Sequence, residues 1–326
     1  MARPVELPFN FIKQNWHGKP YYSLDAYCKN TYGEKLYKVA LDAGMTCPNR
    51  DGTKGCRGCI FCSAGGSGDF AVSLKEGDAF ERGISALSGK KTGRRFIAYF
   101  QAYTNTYGPI SYLEKVYRLA LDAPLTAGIS IATRPDCLST PVIELLRKLK
   151  EEYPSKFIWI ELGLQTIHED TAAFIRRGYP LSCFEESVKL LQHAKIPVIV
   201  HVILGLQGED TKKMLSTIHY LNAQPVWGIK LQLLHILKGT DLGLLWEKSP
   251  KSCGSFTTLE QYLEILINAL EHLRPDMVVH RLTGDAPKDL LLFPLWSADK
   301  RRVLNTLHKQ MKEHSSYQGR FWSEAT

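Results

Sequence analysis

No stretch of this 326-residue chain is apolar for long enough to span a membrane. The longest apolar run, 198–206, is interrupted by His201. The opening residues, Met-Ala-Arg-Pro-Val-Glu-Leu-Pro, lack the apolar core of a signal peptide, so a cytoplasmic location is the default expectation. Low-complexity tracts are absent, and no internal repeat is visible beyond a strand–helix period. A disulfide framework is missing too, because Cys28, Cys137, Cys183 and Cys253 are scattered in the manner of reduced thiols. Charge of one sign does not dominate. The 41 Lys plus Arg against 33 Asp plus Glu leave a net +8, compatible with a polyanionic partner without demanding one.

What is present is an alternation of apolar runs and amphipathic stretches. Strands are predicted at 36–41, 95–100, 128–133, 157–164, 197–204 and 228–234. Between them, helices are predicted at 74–87, 111–120, 141–149, 170–175, 183–194 and 211–221. Parallel strands need crossover connections, so six such units imply a parallel sheet with helices outside, either an open doubly wound sheet or a partly closed barrel. In both, functional residues gather just past the C-terminal ends of the strands. Polar residues cluster there: Cys47, Gln101–Asn105, Thr133–Asp136, Glu161–Gln165, Gly205–Glu209 and His235–Thr240. Residues 1–35 are aromatic and basic without a sustained period, and are expected to pack on the main domain at 36–245, a phosphate-contacting arm being the alternative. Past Gly239 the alternation stops. A small α+β extension at 246–326 is expected to hold a helix at 257–272, a strand at 277–282 and a basic helix at 298–314.

Four of the eight cysteines fall in one segment, Cys47-Pro-Asn-Arg-Asp-Gly-Thr-Lys-Gly-Cys56-Arg-Gly-Cys59-Ile-Phe-Cys62. Its Gly, Asn and Asp content is that of a loop that wraps something. An iron–sulfur cluster needs soft thiolate ligands close together, and Cys59-Ile-Phe-Cys62 supplies two from one tight turn. Cys47 and Cys56 both stand as candidates for a third. A structural zinc site using all four cysteines is the alternative, although zinc more often joins two separated C-x2-C knuckles and no second knuckle follows.

A cysteine pair with an aromatic before its second member, placed after the first strand of a six-unit α/β chain, resembles the radical S-adenosylmethionine (SAM) superfamily. Leu41-Asp-Ala-Gly-Met-Thr-Cys47-Pro-Asn-Arg-Asp-Gly52, Phe100-Gln-Ala-Tyr-Thr-Asn-Thr-Tyr107, Thr133-Arg-Pro-Asp136, Glu161-Leu-Gly-Leu-Gln-Thr166 and Leu234-His-Ile-Leu-Lys-Gly-Thr240 are similar to segments of bacterial YtqA/YhcC-type proteins. That group is related to the radical SAM domain of the elongator catalytic subunit. The resemblance implies a partial (βα)6 barrel of radical SAM type with Cys47, Cys59 and Cys62 as ligands of a [4Fe–4S] cluster. Cys56 stands where a small residue is expected, and its exchange for Cys47 is the alternative. SAM would chelate the open iron, and reduction would cleave its sulfonium to a 5′-deoxyadenosyl radical, the cofactor supplying the difficult chemistry.

For SAM itself the expected contacts follow the strand ends. The amides of 64–69 lie near the cluster cysteines, as a cradle or as a simple turn. Gln101 follows the second strand, where the family grips the SAM amine, although the usual Gly-Gly-Glu is absent. Glu161 is placed for the ribose hydroxyls, with Gln165 as alternative, because a carboxylate in an apolar strand is costly to bury without a purpose. Ile203 and Gly205 are expected to flank adenine, Gly205 alternatively serving only the turn before the next helix, and Phe61 packs on adenine or fills the loop core. His235 is expected to join the cofactor pocket and with Lys238 to approach substrate, or else to be a satisfied structural histidine. Arg134 and Asp136 pair across the pocket or cap their loop, and Tyr103 and Tyr107 stack on substrate or line the site.

The resemblance further implies transfer RNA (tRNA) as substrate, at the carboxymethylaminomethyl-to-aminomethyl step on the C5 side chain of wobble uridine. It also implies an electron donor such as flavodoxin or ferredoxin. The net charge and the basic helix agree with an RNA partner. A radical SAM enzyme on a small-molecule or protein substrate is the second reading, and a zinc- or cluster-stabilised RNA-binding protein without catalysis is the third.

Overall fold

The computed structural model describes residues 9–74, 79–85 and 93–323. The described residues begin with two helices, α1 (Phe9–Asn15) and α2 (Leu24–Tyr32). At seven and nine residues they are too short to imprint a visible period on the sequence. Aromatic packing fixes this region: Trp16 is 1% exposed, stacks on Tyr22 and meets Phe11 edge-on.

The strand–helix alternation begins with β1 (Tyr37–Asp42), followed by the long cysteine loop, the two-residue β2 (Val72–Ser73) and α3 (Ala79–Ser85). The helix expected over 74–87 falls partly outside the described residues. Then come β3 (Phe96–Phe100), α4 (Ile110–Asp122), β4 (Thr126–Thr133), α5 (Thr140–Glu152) and β5 (Phe157–Gln165). They are followed by α6 (Glu169–Phe174), α7 (Leu181–His193), β6 (Val198–Leu204), α8 (Thr211–Asn222) and β7 (Gly228–Leu233). All six expected strands are present. They lie side by side in chain order within an eight-stranded sheet, β2-β1-β3-β4-β5-β6-β7-β9, whose last strand β9 is Val278–Arg281. β3 and β4 are buried at every residue, as parallel strands covered on both faces must be.

The chain divides into two compact units. One comprises Tyr32–Leu164 and Arg176–Val200. Here β1, β3, β4 and β5 pair in parallel, with Lys38 opposite Ile97, Tyr99 opposite Ser130, Ser130 opposite Trp159 and Ala132 opposite Glu161. Strand alternation therefore puts Lys38, Tyr99, Ser130, Trp159 and Glu161 on one face.

The other unit comprises Met1–Thr31, Gln165–Ile175 and His201–Thr326. After β7 it holds β8 (Ile236–Leu237), α9 (Asp241–Lys248), α10 (Leu259–His272), β9 (Val278–Arg281), β10 (Leu291–Phe293) and α11 (Lys300–Glu313). A capping box between Thr258 and Gln261 starts α10, two residues later than its spacing predicts. The strand expected at 277–282 forms as β9, and it joins the main sheet in parallel beside β7. β8 and β10 make a small antiparallel pair. Among the described residues, no helix is long and apolar enough to cross a membrane.

Candidate metal centre

The loop after β1 is folded by its own backbone. Arg50 N–H donates to the Cys47 carbonyl at 2.8 Å, Lys54 N–H to Pro48 O at 2.8 Å and Gly58 N–H to Asn49 O at 2.7 Å. A further turn carries the Cys62 N–H to Cys59 O at 3.0 Å. The residues between the cysteines then tie the loop to its surroundings. The Asn49 amide donates to the Arg176 carbonyl at 2.8 Å and to Cys59 Sγ at 3.7 Å. Arg50 donates to the Cys62 and Ser63 carbonyls. Lys54 reaches Asp136 at 2.6 Å, and Asp136 is held on its other side by a two-pronged bond from Arg134. Burial would raise the Asp136 carboxyl, but Arg134 and Lys54 outweigh it and hold it below the usual carboxylate range. Arg134 and Asp136 thus pair with each other and fasten the cysteine loop.

Three thiols lie within one another's electrostatic reach. Burial pushes Cys59 up to about 12; the charge of Cys62 and then of Cys47 acts in the same direction, against Arg134 and the Asn49 bond. Burial likewise raises Cys62, with Arg50 opposing and Cys47 adding to the rise. Cys56 enters neither balance and is solvent-exposed. Half-buried thiols beside two guanidinium groups fit a site that would become ionic on loading, because a cluster on three thiolates carries net negative charge that Arg50 and Arg134 could balance. Among the described residues, no three His, Cys, Asp or Glu side chains converge closely enough to hold a single ion. A cubane places no such demand, since each thiolate takes a different iron.

The glycine-rich segment after Cys62 is held by the strand next door. Gln101, just past β3, donates its side-chain amide to Ser67 O at 2.5 Å, and the Tyr103 N–H donates to Gly66 O at 3.0 Å. Gln101 therefore braces the loop. Phe61 is half-buried on the turn between Cys59 and Cys62. Glu161 is fully buried, pairs with Lys38 at 2.5 Å and accepts from Ser130 at 2.6 Å. The sequence reading does not single out Lys38; a lone lysine in the apolar run 36–41, facing a lone glutamate in 157–164, is the signal for it. Tyr107 lines a cavity of about 890 Å³ together with Thr46, Pro135, Asp136, Cys137 and Cys183.

The remaining expected residues belong to the other unit. Gln165 has a left-handed backbone, φ 68°, and its carboxamide oxygen is buried with no hydrogen-bond partner among the described residues. A buried orphan acceptor at a strand end fits a hydroxyl- or amine-bearing ligand such as SAM. Ile203 is buried in β6. Gly205 has φ 88°, and a Cβ there would lie 2.8 Å from the Phe256 ring, so the approach of 255–256 already requires this glycine. His235 is held by Ser297 at 3.0 Å, and burial lowers it to about 4.

Comparison with known proteins agrees with this architecture. Residues 52–221 match the radical SAM superfamily and 226–313 the radical SAM C-terminal domain. YtqA of Bacillus subtilis is 41% identical over 306 residues, 93% of either chain. YhcC of Escherichia coli is 34% identical over 301 residues, 90% of this chain and 94% of that one. Elongator complex protein 3 of Bos taurus is 25% identical over 191 residues, 57% of this chain but only 32% of its own length. Among solved structures, an archaeal Elp3 from Methanocaldococcus infernus has the same fold at TM-score 0.63 and 16% identity; the match covers 87% of this chain and 64% of that one. The chain belongs to the radical SAM superfamily, whose enzymes bind a [4Fe–4S] cluster and SAM.

Proposed function

We propose that this radical SAM enzyme remodels the C5 side chain of wobble uridine in tRNA, at the carboxymethylaminomethyl-to-aminomethyl step. The observation that carries the substrate is the likeness to Elongator complex protein 3 across 191 residues, taken with the shared motifs of the sequence. The cluster is assigned to Cys47, Cys59 and Cys62. The matched family span starts at residue 52 and leaves Cys47 outside it, so the third ligand rests on the mutual reach of these thiols and the exposure of Cys56. When bound, the cluster and SAM supply reductive cleavage of the sulfonium. The chain's own residues hold the loops at the strand ends. A flavodoxin or ferredoxin is the proposed reductant, and the cytoplasm the proposed location.

Two measurements test this. Alanine at Cys47, Cys59 or Cys62 should abolish cluster assembly after anaerobic reconstitution, whereas Cys56→Ala should bind iron at the wild-type level. The opposite result for Cys47 and Cys56 overturns the ligand set. Nucleoside analysis of tRNA from cells with and without the gene should then differ at the wobble uridine. An unchanged profile removes tRNA and leaves a small-molecule or protein substrate.

A further inference from the structure

The segment Pro48-Asn49-Arg50 follows one proposed ligand, yet its side chains serve the other two. Arg50 closes on the backbone of Cys62 and Ser63. Asn49 is 5% exposed, and its amide nitrogen lies 3.7 Å from Cys59 Sγ, 2.8 Å from Arg176 O and 3.3 Å from Arg177 O. The two carbonyls settle which end of the carboxamide faces them, because only the NH2 group can donate; the adjacent carbonyls share one of its two protons, which leaves the other for the sulfur. The same NH2 group must therefore be the one beside the sulfur.

The turn that presents these carbonyls is built for the purpose. Arg176 has φ 56° and Gly178 φ 81°, both left-handed. A Cβ at residue 178 would fall 2.6 Å from Asn49 Oδ1, so glycine leaves the room in which the carboxamide sits. The Arg176 carbonyl is also 3.6 Å from Cys59 Sγ. Asn49 donates to both, so sulfur and oxygen share one donor group instead of facing each other bare.

The geometry points to Asn49 as a potential-setting donor to the cluster through an N–H···S bond to Cys59. Reduction places additional negative charge on the ligand sulfurs, so a fixed donor stabilises the reduced state more than the oxidised one and raises the reduction potential. Asn49 is a positioning residue here, since it acts on the cluster only through the cysteine. The inference rests on Cys59 being a ligand.

The test compares reconstituted holoprotein of the wild type, Asn49→Ala and Asn49→Thr, without SAM. Threonine keeps one donor for the Arg176 carbonyl but lacks the second proton for sulfur. Both variants are expected to retain the wild-type iron content and to show a midpoint potential shifted to more negative values in an EPR-monitored redox titration. The deuterium-sensitive part of the Fe–S(Cys) stretching band in the wild type should be lost in both. If one variant loses the cluster, the potential of the other decides. An unchanged potential in a fully loaded variant overturns the inference, and so does loss of the cluster from both, which would make Asn49 a structural brace alone. Failure of the ligand assignment has a different signature: Cys59→Ala would keep its full iron content while the Asn49 residue is untouched.

Discussion

Glu161 is fully buried, and the groups it meets there determine how its carboxylate can be used. Its Oε1 accepts from Lys38 and Ser130, and the Lys38 ammonium also lies over the Tyr99 ring at 4.6 Å. A buried charge needs such partners, and removing one strands the other. Any contact from Glu161 to a ribose hydroxyl would therefore share the carboxylate with Lys38. His235 is the contrasting case, a partly buried group kept neutral. The Ser297 hydroxyl donates to Pro294 O at 2.7 Å, so it accepts from His235 and fixes the proton on Nε2. Burial lowers His235 to about 4, with Arg281 acting in the same sense and Asp285 opposing. The unfolded chain, near 6.5, takes up this proton first. Stability should therefore fall as pH drops from about 6.5 to about 4, by roughly 3 kcal/mol at 1.4 kcal/mol per unit. In urea denaturation as a function of pH, His235→Asn should lack that slope; an identical slope in both proteins would show that the histidine is not its source.

Among the elements, the glycine-rich loop depends most on a single backbone conformation. Gly66 has φ 59°, and a Cβ there would fall 2.3 Å from the Tyr103 ring, whose hydroxyl donates to Ala64 O. In Gly66→Val both the dihedral and the ring oppose the side chain, at a cost on the order of 1–3 kcal/mol. Amide hydrogen exchange across 64–69 should then quicken about tenfold for each 1.4 kcal/mol lost, with exchange in β3 unchanged; unaltered loop exchange would mean that the ring does not hold it. The glycines of this loop are plain in the sequence, but the ring that demands one of them is not. The same divide runs through the fold. The six main strands are legible because each is a largely apolar run of five or more residues. β2, β8 and β10 have two or three residues and no period to detect. β9 was legible as a strand, yet its place beside β7 depends on a crossing that its four residues do not encode. In the site, the cysteines announce themselves by type and spacing. The Asn49 bond to the Arg176 carbonyl joins positions 127 apart and exists only once the chain is folded.

At the scale of the whole molecule, a net charge of +8 matters for RNA only where it is concentrated. The helix α11 sorts its own basic residues. Val303, Leu307 and Met311 are buried at four-residue spacing, His308 turns inward to Tyr21, and Lys300 pairs with Asp285. Arg301, Arg302, Lys309 and Lys312 are exposed. At about 100° per residue they fall within one sector roughly 100° wide, which makes a stripe able to follow a phosphate backbone. Such contacts release counterions, so each phosphate neutralised contributes about 0.9 to the slope of log affinity against log salt on a duplex. If tRNA lies along this stripe, the double variant Arg301→Glu with Lys312→Glu should bind tRNA at least about tenfold more weakly at low salt. Its salt slope should be shallower by about 2, one contact's worth for each residue reversed. SAM cleavage measured without tRNA should be unaffected, because neither residue belongs to the proposed site. Equal affinity and equal slope would mean that α11 presents only a solvated face and that an RNA substrate is gripped elsewhere.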